Sequence, residues 1–192
     1  MNRRKAIRTI TISAVAGMGL FSGYKWYDWN KSPDIEYLTG NKRMITALAE
    51  TIIPADATTP GATEAHVADY IILMIRDCTD RRSTNKFIEG LKAVAHRAQS
   101  RYNKDFESCT PIEQQAVLAY IASTDRPFTG IVGKAQNRYL GRSFFTTLKQ
   151  YTAEGYCSSE AGATRGLAYV PVPGSFRGCV PLQPGQPAWA TH

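Results

Sequence analysis

The chain has 192 residues, enough for one domain with a proper core but not for two full ones. At 43% hydrophobic and 20% charged residues, wholesale disorder is excluded. The formal charge of +7 hints at nucleic acid, yet Arg3, Arg4, Lys5 and Arg8 supply four of the excess cations, and without residues 1–23 the remainder stands at +3. The body itself is therefore only mildly basic, and the Asp80-Arg81-Arg82 turn lacks the interleaved aromatics of a nucleic-acid patch.

The first segment, residues 1–23, reads as an export signal: a basic head, then the uncharged, small-residue-rich run TITISAVAGMGLFSG. Arg3 and Arg4, with Ile7 and Arg8 following at the right distance, resemble a twin-arginine leader. The uncharged run covers 15 residues, short of the roughly 20 that cross a bilayer as a helix. Both a cleaved leader and a retained anchor are open, because the single Ala-x-Ala, at 14–16, lies inside the apolar run. Twin-arginine export carries folded proteins, so either this domain holds a cofactor or it travels with a partner that does.

Residues 24–40 form an aromatic connector, YKWYDWNKSPD and onward, suited to a membrane interface or to a groove on a partner. The helical body is expected over 41–154. Met44, Ile45, Leu48 and Ile52 recur at helical spacing over 41–53, and Pro54 ends that helix. After the turn-rich loop 55–61, Thr63 is the expected cap of a second helix with Val67, Tyr70, Ile71, Met74 and Cys78 buried. A third helix is expected from about 83 to 102, burying Phe87, Leu91, Val94, Ala98 and Tyr102. Thr110, Pro111 and Glu113 mark a strong start for a fourth, which carries Val117, Leu118 and Ile121. The fifth is expected over 135–152, with Tyr139, Leu140, Phe144, Leu148 and Tyr151 inward. From 155 to 192 the density of glycine and proline forbids a helix or a central strand. The predicted fold is all-α: about five helices, preceded by a signal helix and followed by a long irregular arm with apolar anchors.

No assembled active site is legible. His66 and His96 have no partner at metal-ligand spacing, and the four cysteines contain no CxxC. For an exported chain a disulfide between Cys157 and Cys179 is the expected use of the arm cysteines, with Cys78 and Cys109 left to meet each other; an arm cysteine bonded to a partner chain is the alternative. There is no Gly-x-Ser-x-Gly, no phosphate loop and no dinucleotide fingerprint. Catalytic residues, metal and cofactor are accordingly expected to be absent from this chain.

Two stretches carry a family resemblance. LAETIIPADATTPGATEAHVADYI (48–71) resembles the signature of the gluconate 2-dehydrogenase subunit 3 family, and YTAEGYCSSEAGATRGLAYVPVPGSFRGCVPL (151–182) is similar to its C-terminal pattern of Gly-Tyr, Ser-Glu, Gly-Ala-Thr and Pro-x-Pro-Gly. The resemblance implies a non-catalytic small subunit. Its partner would be a large FAD-containing dehydrogenase of the glucose–methanol–choline type, oxidising a sugar or alcohol in the periplasm. Electrons would pass to a cytochrome c subunit or another membrane-side acceptor. The small subunit would bring the signal read by the twin-arginine translocase, and no nucleic acid. On this reading Pro54, Asp56, Pro60 and Gly61 in the loop, with Tyr156, Tyr169, Pro173 and Phe176 in the arm, form the candidate partner interface. Relatives often carry an aromatic after Gly-Tyr where this chain has Cys157, which competes for any inter-subunit bond of Cys179. The alternative function is a stand-alone exported binding protein held to the membrane by its uncleaved signal.

Overall fold

The computed structural model describes residues 31–125, 141–170, 172, 174, 179, 181 and 184–190. The signal residues Arg3, Arg4, Ile7 and Arg8, the connector up to residue 30, Tyr139 and Leu140, and the arm residues Pro173 and Phe176 lie outside them. Among the described residues the protein is all-helical, and the one extended pairing is an isolated parallel bridge between Ala168 and Trp189.

The connector is helical at its end. Helix α1 (Ile35–Gly40) is capped by Asp34, whose side chain accepts from the Tyr37 N–H at 2.9 Å, and it buries Leu38 completely. Helix α2 (Lys42–Ile52) follows after Asn41 and buries Met44, Ile45 and Leu48 of the expected stripe together with Ala49, while Ile52 is half-buried. The second predicted helix starts later than its sequence signal. Thr63 does not cap it; residues 62–66 form a turn that ends with His66 in a left-handed conformation (φ 51°), and α3 occupies Val67–Leu73. The backbone then widens into a π-turn, Met74–Cys78. Val67, Ala68, Ile71 and Ile75 are buried and Tyr70 and Met74 are half-buried, while the wide turn carries Cys78 out to solvent. The expected stripe assumed 3.6 residues per turn throughout.

Helix α4 (Arg81–Tyr102) begins two residues earlier than expected because Asp80 is the cap, accepting from the N–H groups of Arg82 and Ser83 at 3.1 Å each. It ends at Asn103, again left-handed. Helix α5 (Pro111–Thr124) has the capping box read from sequence: the Glu113 N–H donates to Thr110 Oγ1, and the Thr110 N–H to the Glu113 carboxylate.

Helix α6 spans Phe144–Ser158, not 135–152. Its start is set by Ser143, which caps the Thr146 N–H, and by Gly141, whose φ of +81° brings the chain against the α4 backbone. Ser83 Oγ accepts from the Arg142 N–H there at 2.9 Å. At the other end Gly155 belongs to the helix rather than to the arm. It lies against the Tyr70 ring, where a Cβ would stand 2.8 Å from a ring carbon, so glycine here is a packing requirement and not a helix stop. A second π-turn, Gly162–Gly166, follows.

Helices α2, α3 and α6 pack together, and α4 and α5 close the other side. Ile45, Leu48, Ile71, Leu91 and Leu148 fill the middle with no exposure. Phe87 and Phe144 join α4 to α6, ring centroids 5.1 Å apart. Phe144 can reach that position because Gly90 offers bare helix backbone: a Cβ on Gly90 would come within 2.1–2.5 Å of Phe144 atoms. Alanine improves helix propensity by about 1 kcal/mol, but overpacking costs about 1–3 kcal/mol. Gly90→Ala is therefore expected to lower stability by up to about 2 kcal/mol, read as a reduced midpoint in urea denaturation; an unchanged or raised midpoint would show that the ring moves freely.

Candidate functional site

The residues singled out around Pro54 converge on a carboxylate that the motifs did not single out. Glu50, in the last turn of α2, points across the mouth of the following loop. Its Oε1 accepts from the Ala55 N–H at 2.9 Å and its Oε2 from the Thr63 N–H at 2.7 Å, so both sides of the loop are tied to one side chain. Gly61 sits against this carboxylate, where a Cβ would be 2.3 Å from Oε1 and 2.7 Å from the Ala55 nitrogen. Burial alone would raise the Glu50 pKa, but the hydrogen bonds from Thr63 and Ala55 outweigh it and hold the group below its ordinary value.

Within the loop Asp56 organises the tip. Its Oδ1 accepts from the N–H groups of Thr58 and Thr59, both at 2.7 Å, and from the Thr58 hydroxyl at 2.9 Å. Those bonds favour the ionised form and depress its pKa to about 2. The Asp56 N–H donates to the Thr59 carbonyl, and the Ala62 N–H to that of Ile53, closing the loop upon itself. Pro54 and Asp56 are exposed; Pro60 and Gly61 are buried.

Tyr156 is the link to the rest of the molecule. It was expected to face a partner, but it is 8% exposed and turns inward from α6, its hydroxyl donating to the Pro60 carbonyl at 2.8 Å. Burial, followed by the nearby Asp56 charge, pushes its phenol up, which keeps it a neutral donor. The second π-turn wraps this ring: a Cβ on Gly166 would stand 2.3 Å from the Tyr156 oxygen. Arg165 in the same turn pairs with Glu64 at the far end of the loop. Between them lies a shallow polar groove of about 310 Å³, lined by His66, Ser159, Glu160 and Thr164 among others.

The family model described as gluconate 2-dehydrogenase subunit 3 matches residues 40–174, more than two thirds of the chain. The chain belongs to the gluconate 2-dehydrogenase subunit 3 family. Neither a curated relative nor a solved structure matches it. In this family member the matched span covers Glu50, the whole loop, Tyr156 and Arg165, and ends within the arm.

Other sequence expectations fare differently. In this structure Cys157 and Cys179 are free, exposed thiols, and Cys157 stands on the last turn of α6 and not in irregular chain. Cys78 and Cys109 are also unpaired. Cys109 is buried, and its thiol donates to the Asp105 carbonyl at 3.5 Å. His66 and His96 are both exposed, and among the described residues no three His, Cys, Asp or Glu side chains gather to hold a metal ion. Tyr169 does remain outward, at 42% exposure, with Trp189 brought near by the bridge to Ala168. Glu50 had one signal in the sequence: it is the single acid between Met44 and Ala55, just ahead of a loop rich in unpaired amides.

Two outcomes follow. Tyr156→Phe leaves the buried Pro60 carbonyl without its donor and is expected to cost about 1–3 kcal/mol in chemical denaturation. Because Asp56 has a lower pKa folded than unfolded, its contribution is present above pH 4 and is lost as pH falls toward about 2. Asp56→Asn should therefore flatten the acid limb of the stability–pH curve, measured by thermal melts across that range.

Proposed function

We propose that this chain is the non-catalytic small subunit of a periplasmic FAD-dependent sugar or alcohol dehydrogenase of the glucose–methanol–choline type, and that it carries the export signal for the assembly. The observation that carries the reading is the loop from Pro54 to Thr63, held rigid from inside by Glu50 and Tyr156 while its tip faces solvent. A surface loop that has already lost its conformational freedom loses little more when a partner covers it. Pro54 and Pro60 act in the same direction by narrowing the unfolded ensemble. FAD and the reacting groups belong, on this reading, to the large subunit, and a cytochrome c subunit or another membrane-side acceptor receives the electrons. The twin-arginine leader supports export of the folded pair, since that route accepts cargo with its cofactor installed.

The test is export of the partner. With Arg3→Lys and Arg4→Lys together, the flavoprotein subunit is expected to stay in the cytoplasm, measured by fractionation and by dehydrogenase activity in the periplasm. Export of the flavoprotein at the wild-type level would refute the carrier role. Substrate turnover or a flavin spectrum from the purified small chain alone would refute its non-catalytic role.

A further inference from the structure

Helix α5 has an outer side unlike the other long helices. Val117, Leu118 and Ile121 fill the core, as a surface helix requires, but the opposite side is also uncharged. Ile112 is 80% exposed and Tyr120 44% exposed, and Gln115, Ala116, Ala119 and Ser123 between and beyond them face solvent. The one charged residue of the helix, Glu113, is spent on its capping box and on Lys104, 3.4 Å away. Ile112, Ala116, Ala119, Tyr120 and Ser123 lie at helical spacing, a stripe about 16 Å long. Alanines at its centre let another surface approach closely.

The flank on the α4 side is cationic. The Arg97 guanidinium lies 3.7 Å from the centroid of the Tyr120 ring, and Arg101 is exposed one turn further along α4. Asp105 and Glu107 stand only beyond the start of α5. An uncharged centre with a stacked Tyr–Arg pair at its edge has the composition of a protein interface core rather than of solvated surface. The opposing surface must then be apolar with carboxylates where Arg97 and Arg101 arrive. A second copy fits that demand poorly, because meeting this face with its own it would bring Arg97 and Arg101 to the border where carboxylates are required.

We propose that the outer face of α5 is a docking surface for the large flavoprotein subunit, which meets it with an aliphatic patch bordered by acidic side chains. This rests on the subunit reading above and adds the place of contact. The experiment uses the full chain co-expressed with the flavoprotein subunit of the proposed complex, with complex formation measured by co-purification and by titration of the separated subunits. Ala119→Glu places a charge at the centre of the face at an exposed position, so its melting temperature is expected to match the wild type while affinity falls at least about tenfold. Arg97→Glu with Arg101→Glu is expected to weaken binding less and to remove most of its salt dependence. Lys149→Glu, on the exposed side of α6, is expected to bind normally.

Wild-type affinity in both the Ala119→Glu and the double-arginine variants would overturn the docking surface while leaving the subunit reading intact. A wild-type chain that forms no complex with the flavoprotein would overturn both. Self-association of the isolated chain that Ala119→Glu abolishes would assign the face to a second copy and also overturn the proposal.

Discussion

One carboxylate closing one loop is the constraint on which the candidate site depends. Glu50 takes an N–H from each side of the loop, from Ala55 and from Thr63. Without it, two amides at a helix end and a turn would have to find water, and the chain between them would be free to open. Gly61 must be glycine for the carboxylate to sit where it does. The loop is thereby shaped by a residue outside itself, which is how a surface segment stays rigid with little burial.

Rigidity then passes inward through Tyr156. Its hydroxyl holds the Pro60 carbonyl, its ring is covered by the Gly162–Gly166 turn, and its helix is pinned to α3 where Gly155 meets Tyr70. Loop, α6 and the root of the arm form one mechanical unit, with Arg165 and Glu64 joined at its outer edge. Two close approaches of ring to backbone, Tyr70 on Gly155 and Phe144 on Gly90, do the same service elsewhere: each replaces side-chain interdigitation by direct contact with a helix axis. The outer side of α5 draws on none of these residues, so the loop and the proposed docking face are separate features.

Legibility in the sequence divides by the range of the cause. The Thr110–Glu113 capping box, the Asp80 turn and the stripes of α2 and α4 depend on residues within one helical turn of each other, and they were readable to within a residue or two. The stretch that carries the family resemblance spans the loop held by Glu50 and Tyr156. Glu50 was missed because its partners lie five and thirteen residues away, and Tyr156 was misread as outward-facing because a Gly-Tyr pair before a Gly-rich stretch looks like the start of an arm. Cys157 was placed in that arm by the same reasoning, whereas the helix runs through it.

By itself the sequence determined that the protein is helical, where four of its helices lie, and that it belongs to the gluconate 2-dehydrogenase subunit 3 family. Periodicity, capping and turn chemistry are local, and local preference is written in consecutive residues. Only the tertiary structure decided which glycines are contact points rather than helix stops, where the two π-turns shift the register, and that a tyrosine and a glutamate from different helices hold the loop between them. Those outcomes depend on atoms brought together across up to about a hundred residues, and no periodic signal records a distance of that kind.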